Sequence, residues 1–313
     1  MTLQPRNPVE LTDALARANA SREKIAAVDL SALNRVVEHT AEDMTVTVET
    51  GITLAALQFA LGKHRQWLAV DPPNPESTTI ADMINANLSG PRRFGLGTIR
   101  DYLIGLAVAM ADGSVVHSGG KVVKNVAGYD LMKLFVGGQG SLGVPVEATF
   151  KLRPLPEVEQ FVQAPCETLE KAGEMIEAIM KSEVTPVALD LHNISVGSSR
   201  NLTLVAGFAG TREEVEWQLK HIAELGAREA GSLGHETQFW NAGAVTHRLS
   251  VLPAKLVEAI GGLPGGPFVA RAGNGVIYYR GEQLTSADKL PVELMRRVKE
   301  AYDPNHILPE VAL

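Results

Sequence analysis

Between Val70 and Leu155 the chain carries three loops rich in glycine and small polar residues, separated by apolar, strand-like runs. The first opens at Val70-Asp71-Pro72-Pro73-Asn74-Pro75 and runs on to Asn85-Ala86-Asn87-Leu88-Ser89-Gly90-Pro91-Arg92-Arg93. The second is Gly119-Gly120-Lys121-Val122-Val123-Lys124-Asn125-Val126-Ala127-Gly128-Tyr129-Asp130, and the third Gly137-Gly138-Gln139-Gly140-Ser141-Leu142-Gly143-Val144. Glycine recurs where backbone must turn tightly or lie against a ligand. Loops of this kind, set between strands, constrain the fold to a sheet whose connections gather around something long. A flat, phosphate-bearing cofactor threaded past several loops suits the layout better than one nucleotide held at one helix terminus.

The bulk of the chain narrows the class. With 313 residues it has room for two domains and a large core. Hydrophobic content of 45% and charged content of 21% are those of an ordinary globular protein. A net charge of −7 argues against general nucleic-acid binding. The single cysteine, Cys166, excludes an intrachain disulfide and a cysteine-ligated cluster, and fits a reducing cytosol. The opening Met1-Thr2-Leu3-Gln4-Pro5-Arg6 lacks the apolar core of a secretory leader. No run reaches the roughly 20 apolar residues of a membrane helix, so membrane association would come only through a partner.

Local signals place the elements. Asn7 and Pro8 predict a helix start, with Val9, Leu11, Leu15 and Ala18 on or near one face. Val28-Asp29-Leu30 reads as a short strand, and Val36–His39 and Thr45–Glu49 as a strand pair. Thr53 caps a helix with Leu54, Leu57 and Leu61 at helical spacing. Trp67–Val70 is strand-like, Thr79–Asn87 helical, and Ile104–Met110 with Ser114–Ser118 a hairpin through Ala111-Asp112-Gly113. Asp130–Phe135 reads as a short helix and Val144–Leu152 as a strand. Arg153-Pro154-Leu155-Pro156 marks the best boundary, because paired prolines interrupt helix and ladder alike. Beyond it the pattern predicts a helix over Cys166–Lys181, strands at Val187–Leu191 and Asn201–Phe208, and a helix from Thr211 with Glu214 completing its cap. More strands follow at 247–252, 268–270 and 276–279, and a last helix over Pro291–Tyr302, which gives an α+β second domain.

The loops also have a chemistry. Backbone N–H groups beside glycine, with hydroxyl and amide side chains, can hold phosphates without a full compensating charge. Ser77, Thr78, Thr79, Asn85, Asn87, Ser89 and Gly90 are residues of that kind, and the Gly137–Val144 turn could lie against a ring and a sugar chain. Ordinary turns and caps of an α/β domain are the alternative reading. A Rossmann site is poorly supported, because Gly95-Leu96-Gly97 continues as Thr98-Ile99-Arg100 and opens no strand–helix unit.

At these residues the chain resembles a known family. Pro72–Pro156 looks like the flavin-binding half of the vanillyl-alcohol-oxidase, or PCMH, type. The run from Lys121 to Asp130 closely resembles the E subunits of bacterial glycolate oxidases. Leu294–Lys299, Asp303-Pro304 and Ile307-Leu308-Pro309 are similar to the end of the same family. The resemblance implies an α+β fold: a two-subdomain PCMH-type FAD-binding domain over 1–155, a smaller α+β cap domain over 156–290, and a C-terminal helix segment, 291–313, returning to the FAD domain. It implies FAD, and cofactor contacts at Pro72, Thr78, Thr79, Ile80, Asn85, Asn87, Ser89, Gly90, Gly138, Gly140, Gly143 and Val144. It further implies a cytoplasmic complex with a second flavoprotein subunit and an iron–sulfur subunit, oxidising the small 2-hydroxy acid glycolate to glyoxylate. Three departures stand out. Asn19–Ala27 contains no glycine where relatives carry a glycine-rich pyrophosphate loop, Ala81-Asp82 replaces a glycine pair, and Pro309-Glu310 lacks the usual asparagine before proline.

Catalytic groups are sparse. Relatives that catalyse often carry a Gly-Asp-Gly-Asn-Leu-His segment in the cap, and the nearest match here, Gly273-Asn274-Gly275-Val276-Ile277-Tyr278, has no histidine. The eight histidines are scattered, with no pair at metal-ligand spacing, so no metal is predicted. His247 with Arg248 is the best remaining candidate for a hydroxy-acid carboxylate, since arginine offers two parallel donors. Tyr278 and Tyr279 could line a ring pocket, although strand alternation would point them to opposite faces. No histidyl or cysteinyl linkage motif is present, so FAD is expected to be non-covalent. Two alternatives to the subunit reading stand beside it: a stand-alone FAD-dependent 2-hydroxy-acid oxidase, and a cofactor-free scaffold subunit.

Overall fold

In the computed structural model, residues 1–120, 130–194, 202–245, 247–282 and 291–310 are described. The Lys121–Tyr129 part of the second loop therefore lies outside the described residues. The backbone divides into two units. One comprises Met1–Ser89, Gly97–Leu155 and Ala287–Leu313, and the other Gly90–Leu96 and Pro156–Ser286.

The first unit is built on a five-stranded antiparallel sheet. Its order is Val36–Thr40, Thr45–Glu49, Val144–Lys151, Leu103–Ala109, Val115–Gly119. Thr45–Glu49 is buried at every position, so alternation there does not separate a wet face from a dry one. Its polar residues are satisfied instead across the ladder: Thr47 faces Thr149, and their hydroxyls lie 3.0 Å apart. The hairpin Leu103–Gly119 turns at Asp112-Gly113, where the Asp112 carboxylate accepts from the Ser114 amide at 2.9 Å. A second, very small sheet pairs Thr2–Leu3 in parallel with Ala27–Val28, a shorter strand than the one predicted through Leu30. The strand predicted over Trp67–Val70 is also shorter, Gln66–Trp67.

The helix Pro8–Ser21 begins where Asn7 accepts from the Glu10 amide at 2.9 Å, with proline at its first position. It buries Leu11, Leu15 and Ala18 against Leu30, Leu33, Ala109, Val146, Ile307 and Leu308. Each leucine so buried contributes about 1.5–3 kcal/mol. Val9, expected near that face, is 67% exposed: it lies one position off the i, i+4 stripe that meets the core.

The second unit carries a seven-stranded antiparallel sheet. Its order is Glu229–Ala230, Val158–Cys166, Leu202–Gly210, Ala188–His192, Phe268–Arg271, Val276–Tyr279, His247–Ser250. The helices Leu169–Lys181 and Arg212–Glu224 contribute Ala172, Ile176, Ile179, Val215 and Ile222 to its core. Cys166 ends a strand rather than starting a helix. The segment Val158–Cys166 finds nine consecutive partners along Leu202–Gly210, and the helix begins only where Thr168 accepts from the Lys171 amide. Gly90–Leu96 belongs to this unit. Its Gly95 amide bonds Val187 carbonyl at 3.0 Å, Phe94 packs where a side chain at Gly273 would collide, and Arg92 forms a two-pronged pair with Glu159 at 2.6 and 2.5 Å. Arg92 is thus committed, half-buried, to its ion pair with Glu159.

Candidate cofactor site

Four separate segments of the first unit enclose a cavity of about 320 Å³. Val28–Ser31 forms one wall; Thr79, Ala81, Asp82 and Asn85 a second; Gln139, Gly140, Gly143 and Val144 a third; Leu308 and Pro309 a fourth. The volume is at the small end of the roughly 300–1,000 Å³ typical of ligand pockets.

The second wall is the helix Ile80–Ala86, seated on the sheet rim by bonds from the Ile80 and Ala81 amides to Ile52 and Thr50. Thr79 starts it with a reciprocal cap. The Asp82 amide donates to the Thr79 hydroxyl at 3.1 Å, and the Asp82 carboxylate accepts from the Thr79 amide and hydroxyl at 2.9 and 2.7 Å. The helix end carries the third wall: Gly137 donates to Ile84 carbonyl at 2.8 Å and Gln139 to Asn85 carbonyl at 2.9 Å. That turn needs positive φ at Gly137 (83°), Gln139 (53°) and Gly140 (73°), which explains its glycines. A side chain at Gly140 would meet only the Asn85 amide, at 3.8 Å, so the backbone there faces open space.

Of the residues singled out from sequence, Thr79, Asn85, Gly140, Gly143 and Val144 line this cavity. Asn87 is not among the lining residues; it takes the left-handed conformation (φ 51°) next to Gly137, and its side-chain oxygen is buried with no hydrogen-bond partner among the described residues. Pro72 and Ile80 are buried in the core, Thr78 bonds Pro73 carbonyl at 2.8 Å, and the Ser89 hydroxyl accepts from the Ile99 amide at 3.1 Å. Gly138 lies in the turn behind the wall, and Gly90 belongs to the second unit. Sequence reasoning missed Asp29, Ser31, Gln139 and the Leu308–Pro309 wall. For the last there was a signal, since Ile307-Leu308-Pro309 stood out as a family-like end.

The electrostatics are one-sided. Asp29 and Asp82 line the cavity, and among the described residues no lysine or arginine does. The Ser31 amide and hydroxyl hold Asp29 below the usual carboxylate range. Between the first helix and Ala27–Val28 this chain makes no long excursion: the Ile25 amide bonds Ile307 carbonyl at 2.7 Å and the Ala26 amide bonds Met1 carbonyl at 2.7 Å. The donor set still fits a flavin dinucleotide. Asn85, Gln139 and the open backbone at Gly140 suit phosphate and ring, and a carboxylate in the position of Asp29 could accept from a sugar hydroxyl.

The catalytic candidates lie in the second unit. His247 and Arg248 begin the terminal strand His247–Ser250 and point to opposite faces, His247 half-buried against the Tyr279 ring and Arg248 exposed. Tyr278 and Tyr279 also point apart. Tyr278 meets Trp240, and Tyr279 is buried with its hydroxyl donating to Gly265 carbonyl at 2.6 Å.

Folding also assembles a buried polar cluster that sequence spacing did not reveal. Arg271 donates to Asp190 at 2.6 Å and, through two nitrogens, to Glu236 at 2.7 Å each, and His235 lies 3.1 Å from Asp190. The His192 ring stacks on His235 with centroids 4.3 Å apart. Asp190, His235 and Glu236 stand close enough together to ligate a metal, but the Arg271 guanidinium already supplies the positive charge among them. Burial pulls Arg271 down, yet the Asp190 and Glu236 carboxylates outweigh it and hold the guanidinium above its usual range. Burial likewise raises Glu236, and the Arg271 charge reverses the direction. Burial, with a smaller effect of His235, pushes His192 down to about 3.

Comparison with known proteins agrees with the architecture. A family model described as FAD binding domain matches residues 3–119. Glycolate oxidase subunit GlcD of Bacillus subtilis is 36% identical over 62% of this chain and 44% of its own length. Glycolate oxidase subunit GlcE of Escherichia coli is 32% identical over 48% of this chain and 43% of its own. A mitochondrial D-lactate dehydrogenase [cytochrome] of Arabidopsis thaliana is 30% identical over 66% and 38%. The matched part thus spans less than half of each of these relatives. A solved structure of alkyldihydroxyacetonephosphate synthase superposes with a TM-score of 0.73 at 15% identity, covering 98% of this chain and 76% of that one, a likeness of fold alone. Residues 3–119 thus match the FAD binding domain family, which supports FAD as the cofactor, and the chain is similar to glycolate oxidase subunits and D-lactate dehydrogenases over less than half of their length.

Proposed function

We propose that this chain is the FAD-binding subunit of a complex that oxidises a small 2-hydroxy acid, glycolate to glyoxylate, beside a second flavoprotein subunit and an iron–sulfur subunit. The observation that carries the reading is the cavity of the first unit, where Thr79 and Asn85, within the stretch that matches the FAD binding domain, meet Gly140, Gly143 and Val144. Asn85, Gln139 and the Gly140–Val144 backbone would hold the cofactor. The cofactor is proposed to be non-covalent; among the described residues no histidine, cysteine or tyrosine lines the cavity. Bound flavin supplies a two-electron acceptor for the hydrogen on the hydroxyl-bearing carbon, and the hydroxyl proton leaves to a base.

The subunit reading is favoured over a stand-alone oxidase because His247 and Arg248 face opposite ways and cannot grip one carboxylate together. A base and an anion clamp would then come from a partner chain. Among the described residues no helix is long and apolar enough to cross a membrane. The proposed location is the cytoplasm, with any membrane association through partners.

The test is a titration of the purified chain with FAD, read as quenching of flavin fluorescence and as absorption between roughly 350 and 500 nm, followed by dye-linked turnover of glycolate with and without candidate partners. Saturable binding at one flavin per chain supports the reading. A folded chain that takes up no flavin, alone or in the complex, sinks it and favours a scaffold, the reading to which the carboxylate-lined wall and the missing glycine loop point.

A further inference from the structure

The helix Val292–Tyr302 buries one residue, Lys299, which is 5% exposed. Its ammonium donates to the carbonyls of Ser141 at 2.9 Å, Leu308 at 3.2 Å and Pro309 at 3.1 Å, and to the Asp303 carboxylate at 2.6 Å. Ser141 is held in the third wall's turn by its own amide and hydroxyl, both bonded to Gly138 carbonyl. Asp303, fully buried, accepts in turn from the Ile307 and Leu308 amides at 3.0 and 2.9 Å. One cation therefore ties the turn that carries Gln139, Gly140 and Gly143 to the neighbouring Leu308–Pro309 wall.

We propose that Lys299 is the positioning residue of the cavity, fixing the spacing of these two walls so that the cofactor meets a preformed site. A lysine ammonium has three donors, and four acceptors of the protein already claim them. Lys299 therefore has no proton left for a ligand and acts through the walls. Asp303 neutralises it, so the device places no net charge beside the cavity. Preformed walls spare a ligand the ordering cost of loop closure. This inference rests on the reading of the cavity as the FAD site, and concerns which residue shapes it.

The experiment compares the full-length wild type with Lys299→Met and with the double variant Lys299→Met/Asp303→Asn, which leaves no unpaired buried charge if the single variant folds poorly. Two readouts are taken at a temperature where the chains are folded: amide hydrogen exchange and FAD affinity by flavin fluorescence. Exchange should accelerate within 137–144 and 303–310 while the helix Pro8–Ser21 keeps its protection, and FAD should bind about tenfold more weakly. Unchanged exchange in either wall overturns the proposal. So does acceleration spread evenly over the unit, which a purely structural ion pair would give, and so does unchanged FAD affinity. If the wild type takes up no FAD, the cofactor reading fails, and the exchange pattern still decides whether Lys299 holds the walls.

Discussion

Arg271 Nη1 lies 2.6 Å from Asp190 Oδ2, and neither side chain is more than 2% exposed. The pair is desolvated on every side, and Glu236 completes it from the helix Gly234–Asn241. Arg271→Met should therefore cost about 3–5 kcal/mol, because it strands two carboxylates in the core. Thermal unfolding measures it, and adding Asp190→Asn with Glu236→Gln should return part of the loss. A single variant that melts like the wild type would show that the cluster is solvated in solution.

Asp82 completes the cap of the helix Ile80–Ala86 and also puts a negative charge on the cavity wall. Asp82→Asn keeps an acceptor for the Thr79 amide and removes the charge. FAD affinity should rise about fivefold, since one charge at about 4 Å in a hydrated site is worth roughly 1 kcal/mol. The cap should lose no more than about 1 kcal/mol. Isothermal titration gives the first quantity and thermal unfolding the second. Weaker binding by Asp82→Asn would mean that the carboxylate accepts from a cofactor hydroxyl more strongly than it repels phosphate.

His192 predicts an acid-sensitive second unit. Its ring, pushed down to about 3 by burial, stays neutral in the fold while the unfolded chain takes up a proton near 6.5. The unfolded state therefore binds more protons between these values, and stability falls as pH drops below 6.5. The loss from this group between about pH 7.5 and about pH 5.5 should be about 1 kcal/mol, seen in urea unfolding at the two pH values. His192→Asn, which can still accept from the Ile194 amide, should flatten that slope. An equal slope in the variant would assign the acid sensitivity elsewhere.

Gly51 supports the first cavity wall from behind. A Cβ there would lie 1.8 Å from Leu30 carbonyl oxygen and 2.8 Å from that of Leu33. Gly51→Ala must push the Leu30–Leu33 backbone, and should destabilise by about 1–3 kcal/mol. Because Val28–Ser31 forms the wall, FAD affinity should fall with it. Unfolding and titration of the one variant separate the two effects, and retention of both would mean that the wall yields freely.

Elements specified by near neighbours were readable in the sequence. The helix Leu54–Gly62 announces itself by the Thr53 cap and by Leu54, Leu57 and Leu61, and Arg212–Glu224 by the reciprocal Thr211–Glu214 cap. The hairpin over Leu103–Gly119 is marked by Asp112-Gly113. Val158–Cys166 was harder, because its strand character comes from partners at Leu202–Gly210 rather than from local alternation. The cavity was half visible. Glycine and amide loops betray themselves by composition, but a wall made of Asp29 or Pro309 carries no local signature. Lys299 sits in Arg296-Arg297-Val298-Lys299-Glu300, which looks like a solvated charged face, and only contact with Ser141, 158 positions away, makes it an interior residue. The Asp190, His235, Glu236 and Arg271 cluster was invisible for the same reason, being drawn from three distant segments.

The excursion of Gly90–Leu96 into the second unit bears on the order in which the chain can become structured. Glu159 and Gly273 stay without Arg92 and Phe94 until a segment made well before them is handed over. A gene fragment encoding only Pro156–Ser286 would omit that segment, leaving the half-buried Glu159 carboxylate without its fork and an apolar seat open to water. On the ribosome, the second unit can finish only if the earlier segment has been kept out of competing structure. The second unit is thus completed by a segment made before it, and Pro156–Ser286 is not a module that could be cut out and moved alone.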